Sequence, residues 1–341
     1  MTEVKKQLTD KLVFDEEGFR MSTPSQIAEY KAKRLKTDSI ADLGSGIGVQ
    51  SLYFAQTSRH VVAVENNLRR LEECRKNAEL MGLVNIEFIE GNATEKTVID
   101  RLEDVEVVHS DPSRKKTGEV WTFADLSPNP LEIARLYRQE NISFDIPAFM
   151  HPNLIPNEWE LEYISLHGEL KRLSTYLGGV KKFDKSALTL PIGKRIVHNK
   201  DVPRKVEPTD RPHKWLYDLD GSIFYSGLLP EFLDERKDLE LLYQDRQKTL
   251  LTSEKFIIDP FIVRSYSVND TATSLNEVKR KLIDEKAAKV VLRYPIDPSK
   301  YYEERRIIER GLDGTTTIYI FKFKDRYYLA ERTGEQDSQE H

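Results

Sequence analysis

Apolar positions in the first part of the chain gather into short runs of strand length, set apart by stretches of helical spacing. The runs cover residues 39–43, 61–65, 86–89 and 105–109. Between them, Leu52, Tyr53 and Ala55 mark one helix. Leu71, Cys74 and Ala78 form the inner stripe of another over 68–80, with Gly82 just beyond it as a stop signal. Strands alternating with helices of this length predict βαβ units, an α/β fold with a parallel sheet, and helices on both of its faces. A helical stretch over 20–36 precedes them: Ser22 or Thr23 is expected to cap it, Pro24 suits the first turn, and Ile27, Ala28 and Leu35 supply the apolar positions. Past Ser127-Pro128-Asn129-Pro130 the pattern predicts a helix over 131–138, then strands over 142–146, 160–165 and 186–190 that close the same sheet.

The second half reads differently. From 193 to 227, Pro203, Pro208, Pro212 and many charges predict a loop-rich or hairpin excursion, and 231–250 reads as a polar helix. A compact block follows: strand 262–268, helix 274–285, strand 289–294, helix 298–310, and a hairpin of 316–323 with 327–330. The expected organisation is an N-terminal helical segment over 1–37, an α/β domain over 38–250, a small α+β C-terminal domain over 256–333, and a disordered tail over 334–341.

A length of 341 residues fits two domains, each with its own core. No apolar run approaches the roughly 18 residues of a membrane span, so no membrane association is expected. The opening Met1-Thr2-Glu3-Val4-Lys5-Lys6 has no apolar stretch behind it, so no secretory signal and a cytoplasmic location are expected. One cysteine, Cys74, excludes a disulfide scaffold, a multi-cysteine zinc site and an iron–sulfur cluster. His60, His109, His151, His167, His198 and His213 lack metal-ligand spacing, and no metal is expected. Net charge is −5, yet residues 260–333 carry fifteen Lys/Arg against eleven Asp/Glu. That local excess fits a module that meets a polyanion, and equally a solvated face of mixed charge.

The chemistry concentrates after the first strand, in Asp42-Leu43-Gly44-Ser45-Gly46-Ile47-Gly48. Glycines let a ligand approach the backbone, and the helix that follows presents unpaired N–H groups. A dinucleotide fingerprint would need a glycine at position 49, where Val49 stands, and no phosphate-loop lysine motif occurs. Asp42, ahead of the first glycine, suits a ligand with a cationic amino-acid group rather than a pyrophosphate. Glu65 ends the second strand, where an acidic side chain accepts the ribose hydroxyls of an adenosine. Asn92-Ala93 follows the third strand, at the place of the adenine edge. Each piece alone is also compatible with a plain tight turn or strand end.

In register over one βαβαβ unit, these pieces resemble the class I S-adenosylmethionine-dependent methyltransferases. The resemblance implies a Rossmann-like methyltransferase sheet and S-adenosyl-L-methionine as cofactor, held by Asp42, Gly44, Ser45, Gly46, Gly48, Glu65, Asn66, Asn92 and Ala93. Asp111-Pro112-Ser113-Arg114-Lys115-Lys116, at the end of the fourth strand, resembles the Asp-Pro-Pro-Tyr-type loop of amino-methylating enzymes, whose Asp and prolyl carbonyl hold the acceptor nitrogen. It departs from that loop at Ser113, in place of the second proline, and at Arg114, in place of the aromatic that stacks on a base. Asp111, Pro112, Ser113 and Arg114 are the implied catalytic set, with Arg114 and Lys115 on a phosphate or base edge. His109, two residues earlier, is expected to line the site. Cys74 sits on a helix away from this loop, so a cysteine route to pyrimidine C5 lacks its nucleophile.

Residues 18–28 are similar to the opening segment of trimethylguanosine-synthase-like RNA methyltransferases, where Thr-Pro leads a helix beside the cofactor; this adds Thr23 to the cofactor set. From 18 to 333 the chain resembles a family of prokaryotic class I methyltransferases with a THUMP-like C-terminal domain. The resemblance rests on Thr23-Pro24 with Ala28-Glu29-Tyr30-Lys31-Ala32-Lys33-Arg34-Leu35, on Asp111-Pro112-Ser113-Arg114-Lys115 where the family shows Asp-Pro-Ala-Arg-Arg, and on Asp125-Leu126-Ser127-Pro128. Glu162-Tyr163-Ile164-Ser165-Leu166-His167-Gly168-Glu169-Leu170-Lys171 continues it. THUMP domains belong to RNA-modifying enzymes, which implies methyl transfer to a nitrogen of an RNA base, in tRNA or rRNA, with RNA bound through the C-terminal domain. Two other readings stay open: a non-catalytic RNA-binding protein on this fold, and methylation of a protein or small molecule. Tyr225, Tyr294, Tyr301, Tyr302 and Phe323 are candidates for base stacking or for core packing.

Overall fold

The computed structural model describes residues 12–14, 16–115, 118–245 and 248–333. The expected tail over 334–341, the start of the N-terminal segment and Lys116 lie outside the described residues. The chain divides into two compact units, Met1–His198 and Asn199–His341.

In the first unit, helices α1 (Glu16–Met21) and α2 (Ser25–Arg34) precede β1 (Ser39–Leu43), α3 (Val49–Ala55), β2 (His60–Glu65), α4 (Leu68–Leu80), β3 (Ile86–Glu90), the short α5 (Lys96–Ile99) and β4 (Val107–Ser110). A two-residue ribbon follows, β5 (Ser113–Arg114) with β6 (Leu126–Ser127), then α6 (Pro130–Leu136), β7 (Ile142–Ile146), β8 (Glu160–Leu166), β9 (Glu169–Leu177), β10 (Lys185–Leu190) and β11 (Lys194–Val197). The sheet runs β11-β10-β8-β9-β7-β4-β1-β2-β3. β1 sits inside it because its residues Ile40–Leu43 are buried, as are Val61–Val64 of β2. Right-handed crossovers from β1 to β2 to β3, followed by a return to β4 and β7 on the other side of β1, put α3 and α4 on one face and α5 and α6 on the other. The expected stripe of α4 is buried at Leu71, Cys74 and Ala78, and Gly82 follows in the left-handed region at φ +67°.

β3-β2-β1-β4-β7 is parallel throughout, and β8 pairs with β10 in parallel, but the sheet is mixed, which corrects the expectation of a parallel sheet. The edge strand β11 runs antiparallel to β10, and so does β9 to its neighbours, a strand the hydrophobic pattern did not reveal. β9 turns back from β8 at His167-Gly168, both at positive φ, and pairs antiparallel with β8 and β7. The expected caps of α2 are also corrected. Its N-cap position is Pro24, without a side-chain cap; the Ser22 hydroxyl donates to the Phe19 carbonyl, and the Thr23 hydroxyl turns toward Asp111.

The second unit begins some fifty residues before the expected boundary at 250, at Asn199. Its strands are β12 (Trp215–Leu219), β13 (Glu240–Gln244), β14 (Thr249–Ser253), β15 (Ile262–Ala272), β16 (Ala287–Leu292), β17 (Thr316–Phe323) and β18 (Arg326–Thr333), with helices α7 (Gly221–Ser226), α8 (Leu229–Glu235), α9 (Leu275–Asp284) and α10 (Tyr301–Glu309). They form one sheet in the order β13-β14-β12-β15-β18-β17-β16. β12, β13 and β14 thus belong to the C-terminal sheet, not to the first domain. The expected helix over 231–250 is mostly a β-hairpin, because Leu241, Leu242, Leu250 and Leu251 are buried in strands. The expected loop excursion over 193–227 holds β11, β12 and α7. On the α9–α10 side of the sheet, Val278, Leu282 and Ile308 pack on Val290, Ile318, Ile320 and Leu329.

Candidate functional site

Strand register decides what meets at the carboxyl edge of the first sheet. Leu43 of β1 pairs with Val64 of β2 and with Ser110 of β4. The next residues along, Gly44, Glu65 at the end of β2, and Asp111, therefore emerge side by side at the point where the strand order reverses, which is where open α/β sheets hold ligands. A cleft of about 720 Å³ lies there. It is lined by Thr23, Asp42, Gly44, Ser45, Gly46, Glu65, Asn66, Asn92, Ala93, Asp111, Pro112, Ser113 and Arg114. Of the residues expected at the site from sequence, Gly48, Lys115 and His109 are absent from that lining.

At one end, the glycine loop wraps the Glu65 carboxylate. Gly46 N–H donates to Oε2 at 2.8 Å and Asn67 N–H to Oε1 at 2.9 Å. Each oxygen keeps a lone pair for a further donor such as a ribose hydroxyl. Gly44 and Gly46 lie at φ +77° and +57°, and a Cβ on either would stand in open space within the cleft. Gly48 answers a different need, for a Cβ there would lie 2.3 Å from Cys74 Sγ. Cys74 is thus a packing partner beneath the loop, and burial pushes its thiol up to about 12, with nearby Asp42 adding to the effect.

Asp42 is 2 % exposed and accepts from Ser51 Oγ at 2.5 Å. Burial pushes its carboxyl up to about 7 against that hydrogen bond, and the charges of Asp111, Asp145 and Glu65 add to the rise. A cationic group in the cleft would restore its charge. Asn92 holds Thr94 N–H and Oγ1 with Oδ1, both at 3.0 Å, and Ala93 gives its carbonyl to Tyr137 OH at 2.8 Å, which fixes this wall. The set fits S-adenosyl-L-methionine: a carboxylate with open lone pairs for the ribose, glycines that leave room, and a buried acid whose charge a cation would stabilise.

At the other end stands Asp111. Its Oδ2 accepts from Arg172 Nη1 at 2.5 Å and from Thr23 Oγ1 at 3.4 Å, and Arg114 Nη2 lies 3.6 Å from Oδ1. Arg172 comes from β9 and also reaches Asp145 Oδ2 of β7 at 3.0 Å. Asp145 Oδ1 in turn takes Lys31 Nζ at 2.7 Å and Ser174 Oγ at 2.5 Å. Burial pushes the Asp145 carboxyl up, but Lys31, Arg172 and His109 overcome it and hold it well below the usual range. Lys31 and Arg172 are the residues that sequence reasoning missed. Lys31 lies on α2, whose seat is fixed by Arg34 on Glu160 at 3.0 Å and Tyr30 on Glu162 at 2.7 Å.

The loop after Asp111 is a braced ribbon. Ser113 pairs with Ser127, its hydroxyl donates to the Ser127 carbonyl at 3.1 Å, and Lys115 N–H donates to the Asp125 carbonyl at 2.9 Å. Trp121, Ser127 and Pro128 line the same cleft. His109 does not line it: the ring is fully buried, edge-on to Phe54, and burial lowers it to about 4, so it is neutral near pH 7. Among the described residues no cluster could hold a metal ion, and no helix is long and apolar enough to cross a membrane.

Comparison with known proteins agrees with this geometry. Residues 9–119 match the family model described as Methyltransferase small domain. A Gloeobacter violaceus protein described as an uncharacterized RNA methyltransferase is 38 % identical over 95 residues, which is 28 % of this chain and 20 % of that protein. A Mycobacterium tuberculosis protein described as an uncharacterized S-adenosylmethionine-dependent methyltransferase is 22 % identical over 226 residues, 64 % of this chain and 61 % of the other. The chain thus spans less than two thirds of the length of these curated relatives. The crystal structure of a putative methyltransferase from Porphyromonas gingivalis superposes with a TM-score of 0.74 at 19 % identity, over 94 % of this chain and 83 % of that one. The fold is that of a methyltransferase, and over residues 9–119 the sequence carries the pattern of the small methyltransferase domain.

Proposed function

We propose that the chain is an S-adenosylmethionine-dependent methyltransferase whose acceptor is a nitrogen of an RNA base, in tRNA or rRNA. The observation that carries this reading is one continuous cleft with the Glu65 cradle at one end and Asp111 at the other. The relative from Gloeobacter violaceus, described as an RNA methyltransferase, supports the acceptor class. When bound, S-adenosyl-L-methionine supplies a methyl group on a positively charged sulfur. Glu65 and the backbone of Gly44–Gly46 hold and orient the nucleoside part, and Asp42 faces the cationic amino-acid end. Asp111 accepts a hydrogen bond from the acceptor N–H, the Pro112 carbonyl takes a second, and the nitrogen lone pair is thereby turned toward the methyl carbon. With the cofactor bound, the N–C bond would form as the methyl–sulfur bond breaks, the sulfur leaving with the bonding pair as a neutral thioether, and the nitrogen's proton, hydrogen-bonded to Asp111, would pass to solvent. The protein's contribution is positioning.

Ser113 braces the ribbon, and Arg114 meets a phosphate or base edge. The second unit, THUMP-like by its sequence resemblance, binds the RNA, and the enzyme works in the cytoplasm. The test uses the full chain with tritium-labelled S-adenosylmethionine and total RNA. Label that precipitates with RNA and is released by RNase is expected. Label that resists RNase and yields to protease would overturn the RNA reading.

A further inference from the structure

The second unit contains a cavity of about 210 Å³ that nothing in the methyl-transfer chemistry uses. Leu216, Leu242, Tyr243, Phe321, Phe323 and Tyr328 line it, from β12, β13, β17 and β18. Three cations share the lining, Arg293, Lys322 and Lys324, and among the described residues no carboxylate does. Phe321 and Tyr328 are buried, Tyr243 and Phe323 are half-buried, and both lysines are exposed. Arg293 is engaged by Asp218 at 2.5 Å. Lys324 reaches the fully exposed Asp210 at 3.2 Å, a pairing worth little in water, and lies over the Phe323 ring, 5.5 Å from its centroid. Lys322 lies over the Tyr327 ring, 5.1 Å from its centroid.

The combination selects its ligand. The volume has room for one planar ring system. The aromatic walls reward a π-face, and the lysine pair at 322 and 324 rewards an anion attached to that ring. An aliphatic ligand has no use for the lysines, and an unmodified aromatic side chain of a peptide carries no anion for them. We infer that this cavity receives one nucleobase of single-stranded RNA, with the adjoining phosphate on Lys322 and Lys324; the inference deepens the RNA reading above and rests on it. Lys322 and Lys324 also line a wider cavity with Tyr294 and Tyr327, so the strand has a path onward across the lysine ridge. Asp297 and Glu304 in that cavity oppose phosphate there, which leaves the ridge as the anion site. The local excess of positive charge over 260–333 thus acquires a place, and of the candidate stacking residues Phe323 lies in the pocket and Tyr294 beside it.

The test is anisotropy of a fluorescein-labelled single-stranded oligoribonucleotide of mixed sequence, titrated with the full chain in the absence of cofactor. Phe323→Ala should weaken binding about tenfold, the size of one lost stacking contact. The double variant Lys322→Glu/Lys324→Glu changes only exposed side chains, so it preserves the fold. It should weaken binding at least as much and make the affinity less dependent on salt, because two phosphate contacts are lost. Oligonucleotide binding that the double variant retains in full would overturn the pocket and leave the RNA reading standing. No binding by the wild-type chain would overturn the pocket along with that reading. Displacement by N-acetyltryptophanamide but not by a 5′-mononucleotide would mark a peptide site and also overturn it.

Discussion

At the end of the cleft proposed for the cofactor, Glu65 is held by backbone N–H groups of Gly46 and Asn67, within a single βαβ unit. At the end proposed for the acceptor, Asp111 is held by side chains from α2's approach and from β9; Thr23 and Arg172 meet across 149 positions of sequence. Backbone donors are placed by the path of the chain itself and involve no buried charge besides the acid. The other end instead stacks buried Lys31, Asp145 and Arg172 beneath half-buried Asp111 into alternating charges. The buried part, Lys31, Asp145 and Arg172, is stable only while complete, since each ion left alone in the interior is expensive. The two ends should therefore fail differently: the first in binding, the second in stability or in chemistry.

The largest effect is expected at the base of that stack. Asp145→Ala would leave Lys31 without its carboxylate and Arg172 with only one, and should lower the free energy of unfolding by about 3–5 kcal/mol. Urea denaturation at neutral pH measures it. A loss under about 1 kcal/mol, typical of exposed pairs, would show that the stack does not act as a unit. Next in size is Glu65→Ala, which removes a charged acceptor from the other end. Cofactor affinity by calorimetry should fall roughly ten- to a hundredfold, by the loss of hydrogen bonds to an ionised group, while the unfolding transition stays close to that of the wild type. Equal loss of stability in both variants would erase the contrast.

A smaller effect is expected from pH. The folded chain holds a proton on Asp42 up to about pH 7, whereas an unfolded aspartate releases it near 4, so folding takes up a proton in that window. The stabilising contribution is full below about pH 4 and is lost as pH rises through about 7. Asp42→Asn should therefore flatten the decline in stability between those values. Cofactor affinity should move the other way, improving from pH 6 to 8 as Asp42 ionises to meet a cation. Affinity that falls over that range would remove Asp42 from the cationic end of the ligand.

How much of this was legible follows from the same contrast. The cofactor end is local, so Asp42, the glycines, Glu65 and Asn92 stand in sequence order at strand ends, and the hydrophobic runs place them. Asp111 was legible for that reason too. Arg172 and Lys31 were not. Arg172 lies on a strand whose outer positions are charged and whose pairing depends on a turn at His167-Gly168, so no run of apolar residues marks it. Lys31 reads as one of several lysines on a polar helix, and only the fold buries it. The boundary between units failed for a related reason. Residues 240–253 have the leucine content of either a helix or a hairpin, and the distant partner β12 decides between them.

The central claim is that one cleft divides binding from chemistry, with Asp111 on the chemical side. Asp111→Ala tests it directly, because Arg172 keeps Asp145 as a partner and the stack below survives. The measurement is a paired one on the same preparation: calorimetric affinity for S-adenosylmethionine, and the initial rate of label transfer to RNA. Affinity should match the wild type, while the rate should fall by roughly a hundredfold or more, the size of a lost positioning contact. Transfer at the wild-type rate would contradict the account and place the acceptor somewhere other than beside Asp111.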